Sequence, residues 1–224
     1  MRLKGAIFDM DGLLLDTEAQ SVLCWPAAGR EMGYEITTEM VHAVTGTNHA
    51  SCRAAMEGFL GTDLDFDRLY RRVGDLIFER MQQLKMPLRP YARQILEQLK
   101  DAGFRLALAT STNRDRAEIE LREAGIIGFF DTLAFGNEVE RGKPAPDIFL
   151  LAARRLGLSP EACAVLEDSP NGIRAAIDAG MEGLWIPDQI LPQERPDTAQ
   201  LATRVFPTLR EAAHYLTAPA GPEA

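Results

Sequence analysis

Gly5-Ala6-Ile7-Phe8-Asp9-Met10-Asp11-Gly12 is an apolar run that ends in two carboxylates one residue apart. A short buried strand of this kind puts Asp9 at its C-terminal edge, and open α/β sheets bind ligands at that edge. With one residue between them, both carboxylates can face one pocket as the strand end curls. Gly12 gives the backbone the freedom to leave the strand sharply. Two adjacent carboxylates suit two tasks, holding a hard divalent cation and dividing nucleophilic from acid/base work. A strand followed by an acidic turn would read the same, so this segment alone only suggests a site.

Three later segments add to it. Arg105-Leu106-Ala107-Leu108-Ala109-Thr110 runs into Ser111-Thr112-Asn113, and a helical pattern follows from Arg114. Thr110 would end a strand and Thr112 or Asn113 would cap the helix, so that backbone N–H groups point at an anion. Gly142-Lys143-Pro144-Ala145-Pro146-Asp147 sets one lysine in a loop stiffened by prolines, a fixed ammonium for a phosphate. Ala164-Val165-Leu166-Glu167-Asp168-Ser169-Pro170-Asn171-Gly172 is another apolar strand ending in a carboxylate pair, with Ser169 and Pro170 opening the next helix as N-cap and first residue. Each has a plain structural explanation: a strand, cap and helix; a surface lysine in a turn; an acidic helix start facing the macrodipole. All of them together, in this order, are hard to obtain by accident.

The rest of the chain supplies the frame. Strand patterns lie at 4–9, Arg105–Thr110, Thr132–Phe135, Cys163–Glu167 and 183–186, with helical patterns between most of them at 91–102, 115–124, Asp147–Leu156 and 173–179. This alternation predicts a parallel sheet with helices on both faces. The stretch 17–87 breaks the rhythm with helical patterns at Glu18–Met32, 38–43, 50–60 and 67–85 and no convincing strand. Pro26 is expected to kink the first of these. The expected architecture is α/β: a Rossmann-like three-layer parallel sheet core from 1–16 and 88–217, an inserted α-helical cap at 17–87, and a flexible tail at 218–224.

Composition bounds the function. The chain has 224 residues, 46% hydrophobic and 25% charged, as ordinary globular proteins have. No apolar run approaches the ~20 residues of a membrane span, and the N-terminus lacks a signal-peptide pattern. The formal charge of −9 argues against nucleic-acid or anionic-membrane partners. Cys24, Cys52 and Cys163 are scattered and odd in number, which reads as reduced thiols in a cytoplasmic protein. An acidic protein acting on a phosphate must invert its field locally, and a bound cation with a lysine would do so.

The order D-x-D-G, strand-Thr, G-K-P, strand-E-D resembles the haloacid dehalogenase superfamily of phosphohydrolases over nearly the whole chain. Within it the chain is similar to the helical-cap branch, β-phosphoglucomutase-like and pseudouridine-5′-phosphatase-like, the latter through Met10-Asp11-Gly12-Leu13-Leu14-Leu15-Asp16-Thr17-Glu18 and Ile186-Pro187-Asp188. The resemblance implies a Mg²⁺-dependent phosphatase hydrolysing a small phosphomonoester, a sugar phosphate or nucleoside monophosphate. Asp9 would attack phosphorus to give an aspartyl-phosphate, and Asp11 would serve as general acid and then general base. The implied Mg²⁺ ligands are Asp9, Asp168, Glu167 and the backbone carbonyl of Asp11. Thr110 and Lys143 would hold the phosphoryl oxygens. An acid at Asp11 favours phosphoryl transfer over dehalogenation, which has no leaving alkoxide to protonate.

Substrate choice is expected from the cap and the cleft rim: Thr17, Trp25, Thr45, Asn48 and His49, with Ser111 and Asn113 from the core. Trp25 as cap packing and His49 as a half-exposed helix start are alternative readings. The positions that look equivalent to Ser21, Thr45 and His49 carry histidine, lysine and arginine in β-phosphoglucomutase, where the basic residues hold a second phosphate. The lysine and arginine are absent here, which speaks against a phosphomutase. A non-catalytic sugar-phosphate-binding module is the other alternative, and the complete set Asp9, Asp11, Thr110, Lys143 and Asp168 speaks against it. The expected partner is a small phosphorylated metabolite, bound by a monomer.

Overall fold

The computed structural model describes residues 3–45, 49–188 and 192–218. Among them six strands form one sheet: β1 (Gly5–Phe8), β2 (Arg105–Thr110), β3 (Thr132–Phe135), β4 (Cys163–Glu167), β5 (Glu182–Trp185) and β6 (Arg204–Val205). The spatial order is β3-β2-β1-β4-β5-β6, and every pairing is parallel. The chain therefore builds outward from β1 in one direction and then in the other, and the reversal falls between β1 and β4. Ligands bind in open α/β sheets at such a point, beyond the carboxyl ends of the strands.

Both faces of the sheet are covered, which is why its central strands read as unbroken apolar runs. Ala6, Phe8, Leu106, Leu108, Ala164 and Leu166 point into one apolar layer, and Ile7, Ala107, Ala109, Cys163 and Val165 into the other. Phe8 pairs with Leu108 on one side and Leu166 on the other. One residue further, Asp9 falls level with Ala109 and Glu167, so the register alone gathers these strand ends.

Four helices follow β1: α1 (Glu18–Met32), α2 (Thr38–Val44), α3 (His49–Leu60) and α4 (Phe66–Gln83). They close around their own apolar cluster, including Trp25, Val41, Met56, Phe66, Leu69 and Val73. α1 runs unbroken through Pro26. Arg72 of α4 grips Glu31 of α1 through Nε at 2.6 Å and Nη2 at 3.0 Å. The chain enters and leaves this bundle side by side: Asp16 N donates to Pro87 O at 3.0 Å and Arg89 N to Leu14 O at 2.8 Å. An ion pair between Arg89 and Asp188 sits beside that crossing.

The remaining helices are α5 (Ala92–Asp101), α6 (Arg114–Glu123), α7 (Asp147–Leu156), α8 (Pro170–Asp178), α9 (Pro196–Leu201) and α10 (Leu209–Thr217). α5, α6 and α10 cover one face of the sheet, α7 and α8 the other. The sequence reading did not anticipate β6, α9 or α10. β6 is a two-residue exposed edge strand with no apolar run to announce it. Of the expected tail at 218–224, all but Ala218 lies outside the described residues. Among the described residues no helix is long and apolar enough to cross a membrane.

Tyr91, just before α5, has φ +72° and ψ 4°, a left-handed conformation that favours glycine. Its side chain offsets the strain. The hydroxyl accepts a hydrogen bond from Gln98 Nε2 at 2.6 Å, and the Arg210 guanidinium of α10 lies 5.1 Å from the ring centroid. Tyr91→Ala loses both contacts and keeps the strained φ, whereas Tyr91→Gly loses the contacts and the strain together. Thermal melts should therefore place the alanine variant below the glycine variant by about 1 kcal/mol; equal stabilities would show that the left-handed φ costs nothing here.

Candidate active site

The carboxyl ends of β1, β2 and β4 form the floor of a cleft, and the loop before α7 lays Lys143 across it. Lys143 Nζ donates to Asp9 Oδ1 at 2.5 Å, to Glu167 Oε1 at 2.7 Å and to the carbonyl of Ala109 at 3.1 Å. It also sits 4.8 Å from the centroid of Phe149. The ends of β1, β2 and β4 thus each give this ammonium one oxygen. The second oxygen of Glu167 accepts from Ser169 N at 2.8 Å and Ser169 Oγ at 2.9 Å. Ser169 Oγ in turn accepts from Gly172 N at 3.1 Å, capping α8. The backbone carbonyl of Asp168 accepts from Trp185 Nε1 at 2.7 Å.

Two glycines are required by close approach. Gly12 has φ +78°, and a Cβ there would lie 2.3 Å from Asp168 Oδ2. Its N–H donates to Thr17 Oγ1 at 2.9 Å, which fixes the exit from β1 toward α1. A Cβ on Gly172 would fall 1.8 Å from Glu167 Oε1. Opposite them, the hydroxyl of buried Thr110 accepts from Thr112 N at 3.0 Å, and Thr112 Oγ1 donates to Asp11 Oδ2 at 2.7 Å. The hydroxyl cluster after β2 thereby holds the Asp11 carboxyl in place.

The charge balance of the cleft is negative. Burial pushes the Asp9 carboxyl up, Lys143 pulls it down, and Glu167 and Asp11 push it up again. Burial also raises Asp168, helped by Glu167, Asp9 and Glu18. Burial alone would lower the Lys143 ammonium, but Asp9 and Glu167 outweigh it and hold it charged. One cation for several buried carboxylates leaves room for another. The donors are all oxygen, which suits a hard divalent ion. Among the described residues no three His, Cys, Asp or Glu side chains stand as a ready-made metal-holding group. The donors within reach of an ion are the carboxylates of Asp9, Glu167 and Asp168, with Glu167 already accepting hydrogen bonds at both oxygens, and neighbouring backbone carbonyls. Mg²⁺ fits such a sparse set because it keeps several waters and takes the rest from substrate.

The cleft, about 120 Å³, is lined by Asp9, Asp11, Glu18, Thr110, Ser111, Lys143, Glu167, Asp168 and Ser169. It opens into a larger cavity of about 500 Å³ between the sheet end and the α1–α4 bundle. Asp11, Glu18 and Ser111 line both spaces. Thr17, Ser21, Trp25, Thr112 and Asn113 line the larger one, together with Tyr70, Val73, Gly74 and Ile77 of α4 and Arg116 of α6. Glu18 is pushed up to about 7, first by burial and then by Asp11, with Arg89 opposing.

All the sequence-predicted core residues therefore come together, as do Thr17, Trp25, Ser111 and Asn113. Thr45 and His49 do not line either space. Thr45 Oγ1 donates to the Val41 carbonyl at 3.0 Å, ending α2. His49 packs edge-on against Phe66 and Tyr70 and lies 3.4 Å from Asp67 Oδ1. Asn48 lies outside the described residues. Sequence reasoning did not single out Glu18, Tyr70, Val73, Ile77 and Arg116 as cavity residues. Tyr70, Val73, Gly74 and Ile77 do recur at helical spacing, but the sequence does not say which stripe of α4 faces the sheet.

The chain belongs to the haloacid dehalogenase-like hydrolases, whose family model matches residues 3–180. It is similar to the phosphorylated carbohydrates phosphatase of Thermotoga maritima, 32% identical over 183 residues, which cover 82% of this chain and 84% of that one. It is 34% identical over 213 residues to the Drosophila melanogaster protein named "Probable pseudouridine-5′-phosphatase", covering 92% of this chain and 89% of that one. Among solved structures, CbbY from Rhodobacter sphaeroides in complex with phosphate matches with a TM-score of 0.75 at 28% identity, over 92% of this chain and 94% of that one. A β-phosphoglucomutase from Clostridium difficile matches with a TM-score of 0.77 at 20% identity, over 96% of this chain and 97% of that one, a likeness of fold alone. The chain is an enzyme of the phosphatase type within this family.

The hydroxyl cluster is itself anchored from behind by Glu138. That carboxylate accepts from Arg114 Nη2 at 2.5 Å, from Arg155 Nη1 and Nη2 at 2.8 and 3.2 Å, and from Phe135 N at 3.1 Å, so it ties the first turn of α6 to β3 and α7. Arg155 above all, with Arg114 and the Phe135 N–H, holds Glu138 down at about 2 against the opposing effect of burial. A carboxyl depressed in the folded state stabilises above its unfolded value of 4.5, and that contribution is lost as pH falls toward 2. With solvent at the rim screening the pairs, its size is about 1 kcal/mol. The stability difference between wild type and Glu138→Gln should be present at neutral pH and shrink through that window. A difference independent of pH would contradict the assignment.

Proposed function

We propose that this chain is a Mg²⁺-dependent phosphatase that hydrolyses a small phosphomonoester, of a sugar or a nucleoside, through a phosphorylated Asp9. The observation that carries this reading is the placement of the two carboxyl groups. Asp9 lies in the cleft against Lys143, while Asp11 stands where the cleft meets the larger cavity. A phosphoryl group in the cleft would have its ester oxygen at that junction, beside Asp11. The names of the relatives, phosphatases of phosphorylated carbohydrates and of fructose 1-phosphate among them, support the substrate class.

The steps follow from these positions. Lys143 holds Asp9 Oδ1, so Oδ2 is the attacking atom. It forms a bond to phosphorus as the bond from phosphorus to the ester oxygen breaks, and Asp11 gives its proton to the departing alkoxide. Water entering the cleft then loses a proton to Asp11 and attacks phosphorus, releasing inorganic phosphate and restoring Asp9. Thr110, Ser111 and Lys143 hold phosphoryl oxygens in both steps. Asp9, Asp168 and the Asp11 carbonyl would hold Mg²⁺, which when bound neutralises charge on the phosphoryl oxygens. Glu167 fixes Lys143 and the start of α8, and its remaining lone pairs would serve the same ion.

In this reading residues 1–16 and 88–217 carry the chemistry, and the cap at 17–87 selects the leaving group. Every group the chemistry needs comes from one copy of the chain, so no partner chain is required. The two cap positions that would hold a second phosphate in a mutase, Thr45 and His49, are turned to other contacts.

Asp9→Asn should lower phosphate release by several orders of magnitude, and chelation of divalent metal should abolish it reversibly. Near-native turnover of either would end the proposal. Asp11→Asn should still bind Mg²⁺ with beryllium fluoride, a phosphoryl mimic on Asp9, while turnover collapses. Loss of both together would make Asp11 structural. On hexose 1-phosphates, free phosphate should appear in step with free hexose; isomer formation without phosphate release would favour the mutase.

A further inference from the structure

Arg116 reaches from the first turn of α6 into the space between core and cap. Its Nη1 donates to the carbonyl of Gly74 in α4 at 3.0 Å, and its Nε donates to Glu120 Oε1 at 2.8 Å. The guanidinium lies 5.2 Å from the ring centroid of Phe78, one turn further along α4. A Cβ on Gly74 would stand 3.3 Å from Nη1, a close approach that the fork could meet only by shifting a few tenths of an ångström. Glu120 is fully buried, and its Oε2 has no hydrogen-bond partner among the described residues. Arg116 also lines the larger cavity.

A single guanidinium therefore touches the cap backbone, a buried core carboxylate and the substrate space. Its planar fork is fixed by the first two contacts, which use Nε and Nη1 and not Nη2. The cavity around it is not built for a second anion. Asp11 and Glu18 line it too, and Glu120 already balances the charge of Arg116. Trp25, Val73 and Ile77 supply apolar wall, while Ser21 and Asn113 supply polar groups. Mixed walls of this kind suit a ring with hydroxyls on its edge and C–H groups on its face.

We propose that Arg116 is a specificity and positioning residue: its Nη2 donates to a hydroxyl oxygen in the part of the substrate remote from phosphorus, and its bond to Gly74 fixes the cap around that group. This rests on the phosphatase reading and extends it to a hydroxyl-bearing leaving group. No covalent step is involved.

The test compares wild type, Arg116→Gln and Arg116→Lys on a hexose monophosphate, the corresponding hexose bisphosphate and p-nitrophenyl phosphate, which has no hydroxyl group. Arg116→Gln should raise KM for the hexose monophosphate by about 10-fold or more and change kcat less, with a smaller fall in kcat/KM for p-nitrophenyl phosphate. Arg116→Lys keeps the charge but not the fork and should not restore KM. An equal fall for both monophosphates, with a lowered melting temperature, would make Arg116 a structural clamp and overturn the proposal. Wild-type preference for the bisphosphate, lost in Arg116→Gln, would overturn it in favour of a second-anion site. Wild type inactive on every monophosphate would refute the phosphatase reading itself, an outcome distinct from an active wild type with an unaltered Arg116→Gln.

Discussion

The ammonium of Lys143, held between Asp9 and Glu167, is the interaction on which the rest of the site depends. Buried carboxylates are costly unless they are paired and hydrogen-bonded, and stranding one partner of a buried pair typically costs about 3–5 kcal/mol. Lys143 gives one hydrogen bond to Asp9, one to Glu167 and one to the backbone of β2. It thus joins the ends of all three central strands and sets the orientation of Asp9. Glu167 is its counterweight, with its other oxygen secured by Ser169, so that the lysine cannot follow Asp9 alone. Gly172 and Gly12 leave the space in which these acids approach their neighbours.

The arrangement separates two problems that conflict in one layer. The sheet must be rigid and apolar on both faces to bring acidic strand ends level. The cavity beyond it is of mixed polarity. That cavity lies against a bundle with its own apolar cluster, which joins the sheet at two adjacent chain crossings and through Ile77, Phe78 and Met81 of α4. The two parts meet where Asp11, Glu18 and Ser111 line both the cleft and the cavity. Arg116 to the Gly74 carbonyl is a contact that crosses this boundary.

Much of this was legible in the sequence, for identifiable reasons. Apolar runs such as Arg105–Thr110 and Cys163–Glu167 are buried on both faces, so they announce strands without alternation, and their ends mark the site. Parallel register then places Asp9 beside Glu167 with no further information. What stayed hidden depends on choices between equivalent faces. The stripe Tyr70, Val73, Gly74 and Ile77 has helical spacing, but only tertiary packing shows that it faces the cavity. Thr45 and His49 sit at helix ends, where a polar residue serves a cap or a neighbouring ring as readily as a ligand. Arg116 reads as one more charge in an exposed helix until Gly74 is found opposite it. α10 did carry a signal, with Leu209, Ala212, Ala213 and Leu216 at helical spacing, yet that signal is short and rich in alanine.

The most direct test of the account is to trap the enzyme during turnover. Enzyme quenched in acid while hydrolysing a phosphomonoester with Mg²⁺, then reduced with borohydride and digested, should show homoserine at position 9, formed by reduction of an acyl phosphate on Asp9. The same treatment without substrate should leave Asp9 unchanged. Reduction at another carboxylate, or an unmodified Asp9 in enzyme that is turning over under conditions where the phosphorylated form accumulates, would contradict the account.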